Sequence, residues 1–260
     1  MTDLRNLLLV SFVTSLAFAG CVSGGGTGES STPAADQKSS GVVDMGGGTA
    51  PAGGSSVKAV NAGECTKSPL IDDAEDNDNQ GAATDKRGGY WYTYADNLGT
   101  TVSPSGNFTM SEGGAERSKF AARMNGKVGT GDVLYAGMGL SLTHPKGAYD
   151  ASCCKGISFW AKKAGAGTGN VRFKVGDVNT APEGGVCKQC YNDFGADLVL
   201  TPEWKKYEFA FADMKQEPGW GEPQSAIAKD RLYQVQWQVK DAGAEFDIWV
   251  DDVQFFGCGG

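Results

Sequence analysis

Carboxylates crowd both ends of the part of this sequence that can fold. Leu70-Ile71-Asp72-Asp73-Ala74-Glu75-Asp76 runs from strand-forming residues straight into acids, shortly after Cys65. With Asp78, five carboxylates fall within seven residues. Phe246-Asp247-Ile248-Trp249-Val250-Asp251-Asp252-Val253 repeats the theme shortly before Cys258. If the terminal strands pair, Asp251 and Asp252 approach the first cluster, and like charges so placed repel. A hard cation such as Ca²⁺ relieves this by taking about six to eight oxygen ligands at about 2.3–2.6 Å. The run Asp76-Asn77-Asp78-Asn79-Gln80-Gly81 starts like an EF-hand loop, but Gln80 in the fifth place and Arg87 in the twelfth break the pattern. A structural calcium between the chain ends is therefore the expectation, against the plainer alternative of a solvated acidic turn.

Catalysis leaves little trace. The single histidine, His144, precedes Pro145 in an apparent loop, and no serine sits in a Gly-x-Ser-x-Gly turn. Glycoside hydrolysis needs only a pair of carboxylates, yet no pair is marked out by its surroundings. No catalytic residue is assigned, and the chain is not expected to be an enzyme. The formal net charge of −8, with Arg172, Lys174, Lys205 and Lys206 scattered along the chain, argues against nucleic acid as a partner.

Seven cysteines point to an oxidising compartment. Setting Cys21 aside leaves Cys65, Cys153, Cys154, Cys187, Cys190 and Cys258, which sequence alone cannot pair. Terminal strands of a sandwich commonly run side by side, so Cys65 is expected to join Cys258. The remaining four would then pair between Cys153-Cys154 and Cys187-Lys188-Gln189-Cys190. A zinc site is disfavoured because adjacent cysteines on a strand point to opposite faces. A thioredoxin-like pair is disfavoured because Tyr191-Asn192-Asp193-Phe194-Gly195 reads as loop rather than as a helix start.

The N-terminal segment reads as an address. Arg5 precedes an apolar run from Leu7 to Phe18, and Ala19-Gly20-Cys21 follows. Such a run is too short to span a bilayer and has the form of a secretory signal peptide. Cysteine directly after Ala-Gly resembles a bacterial lipobox, which makes residues 1–20 a lipoprotein signal peptide and Cys21 the lipidated N-terminus. Val22 stands where an aspartate is associated with inner-membrane retention, which points to export to the cell envelope and the outer membrane. Residues 21–63 are rich in Gly, Ser, Ala and Thr and cannot bury enough apolar surface to offset ordering entropy. They are expected to form a disordered tether with a root-mean-square span on the order of 35 Å.

The elements that must position any site lie in residues 64–258, enough for one domain with a substantial core. Ile157, Phe159 and Ala161 alternate with Ser158, Trp160 and Lys162, and Val171, Phe173 and Val175 alternate with Arg172 and Lys174. Tyr207, Phe209 and Phe211 repeat the pattern, as do Tyr233, Val235, Trp237 and Val239 against Gln234, Gln236 and Gln238. Phe246, Ile248 and Val250 close the series. Period-two alternation with aromatic and β-branched enrichment is the signature of half-buried antiparallel strands. Shorter strands are expected at Tyr90–Tyr94, Phe108–Met110, Phe120–Met124 and Val133–Leu142, with a helical turn or two over Gln224–Lys229. The fold class is all-β, an antiparallel β-sandwich of jelly-roll type.

The order of these pieces carries a resemblance. Leu70-Ile71-Asp72-Asp73-Ala74-Glu75-Asp76, then Gly89-Tyr90-Trp91-Tyr92-Thr93, Tyr149-Asp150-Ala151-Ser152, Gly156-Ile157-Ser158-Phe159-Trp160-Ala161-Lys162 and Val250-Asp251-Asp252-Val253 resemble the galactose-binding-domain-like jelly rolls. Among them the sequence is most similar to family 11 carbohydrate-binding modules. The resemblance implies a structural Ca²⁺ where the first and last strands meet, held by Glu75 and Asp252 with Asp73. It also implies a cleft for β-glucan chains on one sheet, built from aromatic platforms and polar side chains. Outward positions Trp160, Arg172, Gln236 and Gln238 fit such a surface, flanked by Trp91, Tyr92 and Tyr191. The function implied is that of a non-catalytic polysaccharide-binding module. The alternatives are a structural or adhesion lipoprotein that binds a protein or envelope partner and, more remotely, a glycan-active enzyme.

Overall fold

Alternation of apolar and polar residues sorts the chain into strands with one face in and one face out. The computed structural model describes residues 68–259. The expectations for residues 1–63, lipidation of Cys21 among them, and for Cys65 lie outside the described residues. In chain order the strands are β1 (Leu70–Asp72), β2 (Trp91–Ala95), β3 (Thr101–Ser103), β4 (Ser111–Glu112), β5 (Phe120–Lys127) and β6 (Ala136–Ser141). They continue as β7 (Gly156–Lys163), β8 (Asn170–Asp177), β9 (Phe194–Val199), β10 (Lys205–Ala210), β11 (Leu232–Val239) and β12 (Glu245–Phe256). The expected antiparallel sandwich is the fold. One sheet runs β10-β7-β12-β5-β3, with β1 added on β12 and β4 on β5; the other runs β2-β6-β11-β8-β9.

Three local expectations change. Phe108 and Met110 are buried but belong to no strand, because they plug the core from a connecting loop. The turn expected over Gln224–Lys229 is replaced by a single 3₁₀ turn at Lys229–Arg231. Residues from Phe194 onward, read as loop, form β9, whose glycine and aspartate mask the alternation while its backbone pairs fully with β8.

The core is aromatic where the sheets meet. Trp237 of β11 is fully buried and packs at 5.1 Å edge-on to Phe159 of β7, at 5.4 Å from Phe173 of β8 and at 5.6 Å stacked on Trp91 of β2. A register shift between Leu232 and Gln234 changes the face assignment at the start of β11. Leu232 joins the main core, and Tyr233 instead packs with Val178 and Ala181 in a smaller cluster.

The terminal strands do pair, Leu70 opposite Gln254 and Asp72 opposite Val253. The disulfide expected between Cys65 and Cys258 is nevertheless corrected: Cys258 bonds Cys154, with Cα atoms 4.0 Å apart. The reason is register. Gly156 of β7 faces Phe256 of β12, so Cys154 and Cys258 lie two residues beyond that pair and meet directly. Cys187 bonds Cys190, which closes a short loop on itself and rules out the expected cross-pairing with Cys153 and Cys154. Cys153 is disulfide-bonded as well.

Truncating the residue on which both sheets converge should show how far the fold depends on it. Trp237→Ala is expected to cost about 3–5 kcal/mol, as large core truncations do, read from urea unfolding followed by circular dichroism.

Candidate ligand-binding face

The outer face of the five-stranded sheet is written by the positions that alternate with the core. Because Trp237 points inward, Gln236 and Gln238 must point outward, and β-pairing aligns them with their neighbours. One row across the sheet reads Tyr92, Gly139, Gln236, Lys174, Gly195, and the next reads Tyr94, Gly137, Gln238, Arg172, Asp197. The two glycines of β6 explain the shape. A Cβ on Gly139 would lie 2.6 Å from Tyr92 Cζ, and one on Gly137 would lie 2.3 Å from Tyr94 Cζ. Both phenol rings therefore lie across β6 and reach the glutamines of β11. Tyr92 Oη donates to Gln234 Oε1 at 2.9 Å and accepts from Gln236 Nε2 at 2.9 Å, while Tyr94 Oη donates to Gln236 Oε1 at 3.3 Å. Tyr135 continues the shelf, with centroids 6.2 Å apart for Tyr92–Tyr94 and 6.1 Å for Tyr94–Tyr135. Burial pushes the Tyr92 and Tyr94 hydroxyls well above the usual phenol range, so both remain neutral donors.

Basic side chains on this face are matched by acids. Lys174 pairs with the fully buried Asp193 at 3.3 Å and donates to the Tyr191 carbonyl at 3.0 Å. Arg172 meets Asp197 at 3.1 Å and donates to the Lys215 carbonyl at 2.5 Å. Lys146 reaches from the loop after β6 to Glu183 and to Gln234, each at 2.6 Å, and lies 5.7 Å above the Tyr92 ring. Lys240 pairs with Glu217. Burial alone would raise the Glu217 carboxyl, but the Lys240 hydrogen bond and charge, with Arg172 nearby, hold it below its ordinary range. Beside these groups a depression of about 400 Å³ opens, lined by Asn170, Arg172, Asp197, Glu217, Gln238 and Lys240 among others.

Of the residues expected here, the structure brings Arg172, Gln236, Gln238 and Tyr92 together. Tyr191 is exposed at the margin, immediately after the Cys187–Cys190 bond. Trp91 is corrected: as the strand neighbour of Tyr92 it must face the opposite way, and it is only 3% exposed in the core, its indole donating to Asp72. Trp160 is corrected too. It does face outward, but from β7, on the seven-stranded sheet. There it neighbours a ladder in which Lys162 Nζ lies 4.7 Å from the Trp204 ring and 4.8 Å from Trp249, with Arg123 at 4.7 Å from Trp249. Sequence reasoning passed over Tyr94, Tyr135, Gln234, Lys146 and Lys174. The available signal was the matched spacing of Tyr92-x-Tyr94 and Gly137-x-Gly139, which lets rings on one strand cover glycines on another.

The acidic ends meet as their pairing requires. Asp72 and Asp251 are both buried, and burial raises each carboxyl to about 7 despite hydrogen bonds from Trp91 to the first and from the Ala115 backbone to the second. Asp252, in a left-handed conformation at φ 49°, is raised by burial and by the charges of Asp73 and Glu75. Glu75 Oε1 accepts the backbone N–H groups of Lys119 at 2.6 Å and Phe120 at 2.9 Å. Among the described residues, no three His, Cys, Asp or Glu side chains converge as a ready metal cage.

No family model matches the chain, and no curated protein does. A solved structure does share the fold. The solution structure of CtCBM11 superposes with a TM-score of 0.51 at 17% identity, over 78% of this chain and 99% of that one. A family 11 carbohydrate-binding module from Clostridium thermocellum, in complex with a β-1,3-1,4-mixed-linked tetrasaccharide, gives 0.48 at 18%, over 65% and 89%. A family 30 carbohydrate-binding module of a Clostridium thermocellum cellulosomal cellulase gives 0.49 at 12%, over 73% and 97%. At 17% identity the likeness to CtCBM11 is one of fold.

The shelf depends on the bare surface of β6. Gly139→Ala should lift the Tyr92 ring from the sheet, changing the near-ultraviolet circular dichroism and costing about 1–3 kcal/mol as overpacking does. Unchanged spectra and unfolding midpoint would show that the ring does not lie there.

Proposed function

We propose that this protein is a non-catalytic polysaccharide-binding module, carried on a bacterial envelope by a lipid on Cys21, with neutral β-glucan as its ligand class. The observation that carries the reading is the tyrosine shelf. Pyranose rings present C–H faces that pack on aromatic rings, and their hydroxyls need paired donors and acceptors alongside. Tyr92, Tyr94 and Tyr135 supply the first requirement, and the partly exposed Gln238 the second, while the buried Gln236 and Arg172 hold the face through their bonds to Tyr92, Tyr94, Asp197 and the Lys215 carbonyl. The pairing of Lys146, Arg172, Lys174 and Lys240 with acids leaves little field to attract a polyanion, which favours an uncharged chain.

Affinity electrophoresis in gels containing mixed-linkage β-glucan and other soluble polysaccharides tests the reading. The wild-type chain should be retarded, and Tyr92→Ala should migrate as it does in a sugar-free gel. Absence of retardation across the panel, together with capture by envelope proteins that added glycan does not disturb, would favour the adhesion alternative.

We further propose that Asp73, Glu75 and Asp252 share a structural Ca²⁺ with backbone carbonyls and water. The like charges around Asp252 support this, opposed mainly by Lys206, as does the second carboxylate oxygen of Glu75, which no backbone N–H engages among the described residues. The ion would supply charge neutralisation where β1 and β12 meet. Chelator is expected to lower the melting temperature by several degrees, and Glu75→Gln to abolish that sensitivity. Identical melts with calcium and with chelator would sink the proposal.

A further inference from the structure

Beyond the edge of β9 lies a cavity of about 500 Å³, within the size range of small-molecule sites. The segment after β10 closes that edge, with Lys215 bridged to Gly195. Phe194, Phe211 and Met214, all buried, contribute to the lining. Trp220, Gln189 and Gln224 also line it, and Trp220 is 45% exposed although its indole is largely apolar. Gly219 and Gly221, at φ 89° and 72°, adopt backbone conformations that side chains disfavour and turn the chain on both sides of Trp220.

The surrounding loops are fastened to each other. Asn192 Nδ2 donates to the Glu217 carbonyl at 2.8 Å and the Trp220 carbonyl at 2.6 Å, and Asn192 Oδ1 accepts the Glu217 N–H at 3.0 Å. Gln216 Nε2 donates to the carbonyls of Asn192 and Glu222, while its Oε1 accepts the Gln224 N–H. The Lys188 N–H reaches Glu222 Oε2 from within the ring closed by Cys187 and Cys190. Glu217 lines both this cavity and the depression over Arg172 and Gln238, so the two share a wall.

We infer that this cavity is an additional sugar subsite, taking at least one neutral pyranose unit of the polysaccharide chain that lies on the tyrosine shelf. The inference rests on the polysaccharide-binding reading and extends it past the sheet. The indole and the apolar lining pack against C–H faces, and the carboxamides of Gln189 and Gln224 pair with hydroxyls. Glu217, committed to Lys240 and Arg172, forms the wall between the two parts of the site.

Calorimetric titration of the full chain with mixed-linkage β-glucan tetrasaccharide and octasaccharide tests it. The wild type should bind the octasaccharide more tightly, with a shift in tryptophan emission. Trp220→Ala should lose roughly tenfold on the octasaccharide, in keeping with the weight of tryptophan in binding surfaces, while the tetrasaccharide is little changed. The emission shift should vanish with it. Gln224→Ala, checked to melt at the wild-type temperature, should lose part of the same increment. Octasaccharide binding undiminished in both variants but lost in Tyr92→Ala overturns the subsite and leaves the shelf standing. Failure of the wild type to bind either oligosaccharide overturns both.

Discussion

Trp237 is fully buried between the sheets, and the aromatic rings of Phe159, Phe173 and Trp91 close around it. Successive side chains on a strand point to opposite faces, so that one inward indole commits its neighbours Gln236 and Gln238 to the outside. Pairing then carries the commitment sideways to Tyr92, Tyr94, Arg172 and Lys174. The proposed binding face is in this sense the reverse side of the core. A slip of one residue in β11 would turn the amides into the core and the indole out of it, so packing energy also guards the composition of the outer face.

The same logic shows what could be read without coordinates. β7, β8, β10, β11 and β12 were legible because each alternates over enough residues for the period to stand out. Outwardness was legible as well: Arg172, Gln236, Gln238 and Trp160 all face away from the core. Sheet membership was not, since alternation says which way a side chain points and nothing about which layer its strand joins. Alternation alone therefore cannot separate Trp160, on β7 of the seven-stranded sheet, from the outward residues of the other sheet. Trp91 and Tyr92 could not both border one face, because neighbours on a strand diverge.

Other features needed pairing information that no single segment holds. The Cys154–Cys258 bond follows from Gly156 standing opposite Phe256, a long-range register invisible in local sequence. β9 was hidden because Gly195 and Asp197 replace the apolar alternation that normally announces a strand. The shelf was hidden for a related reason: its defining residues on β6 are glycines, which signal by having no side chain. The meeting of the acidic ends is legible in sequence, since β1 does pair with β12, yet the chemistry of that meeting rests on charge repulsion rather than on a cage assembled among the described residues.

The glycine surface of β6 has a kinetic consequence. With no side chains of its own to move aside, and with Tyr92 and Tyr94 already tied to Gln234 and Gln236, the face is held in a single arrangement before anything arrives. A partner landing there has few rotamers to freeze and no closing motion to await. Encounter would then be limited by diffusion and orientation, and differences in residence time among partners would come from how well each fits a surface that does not adapt.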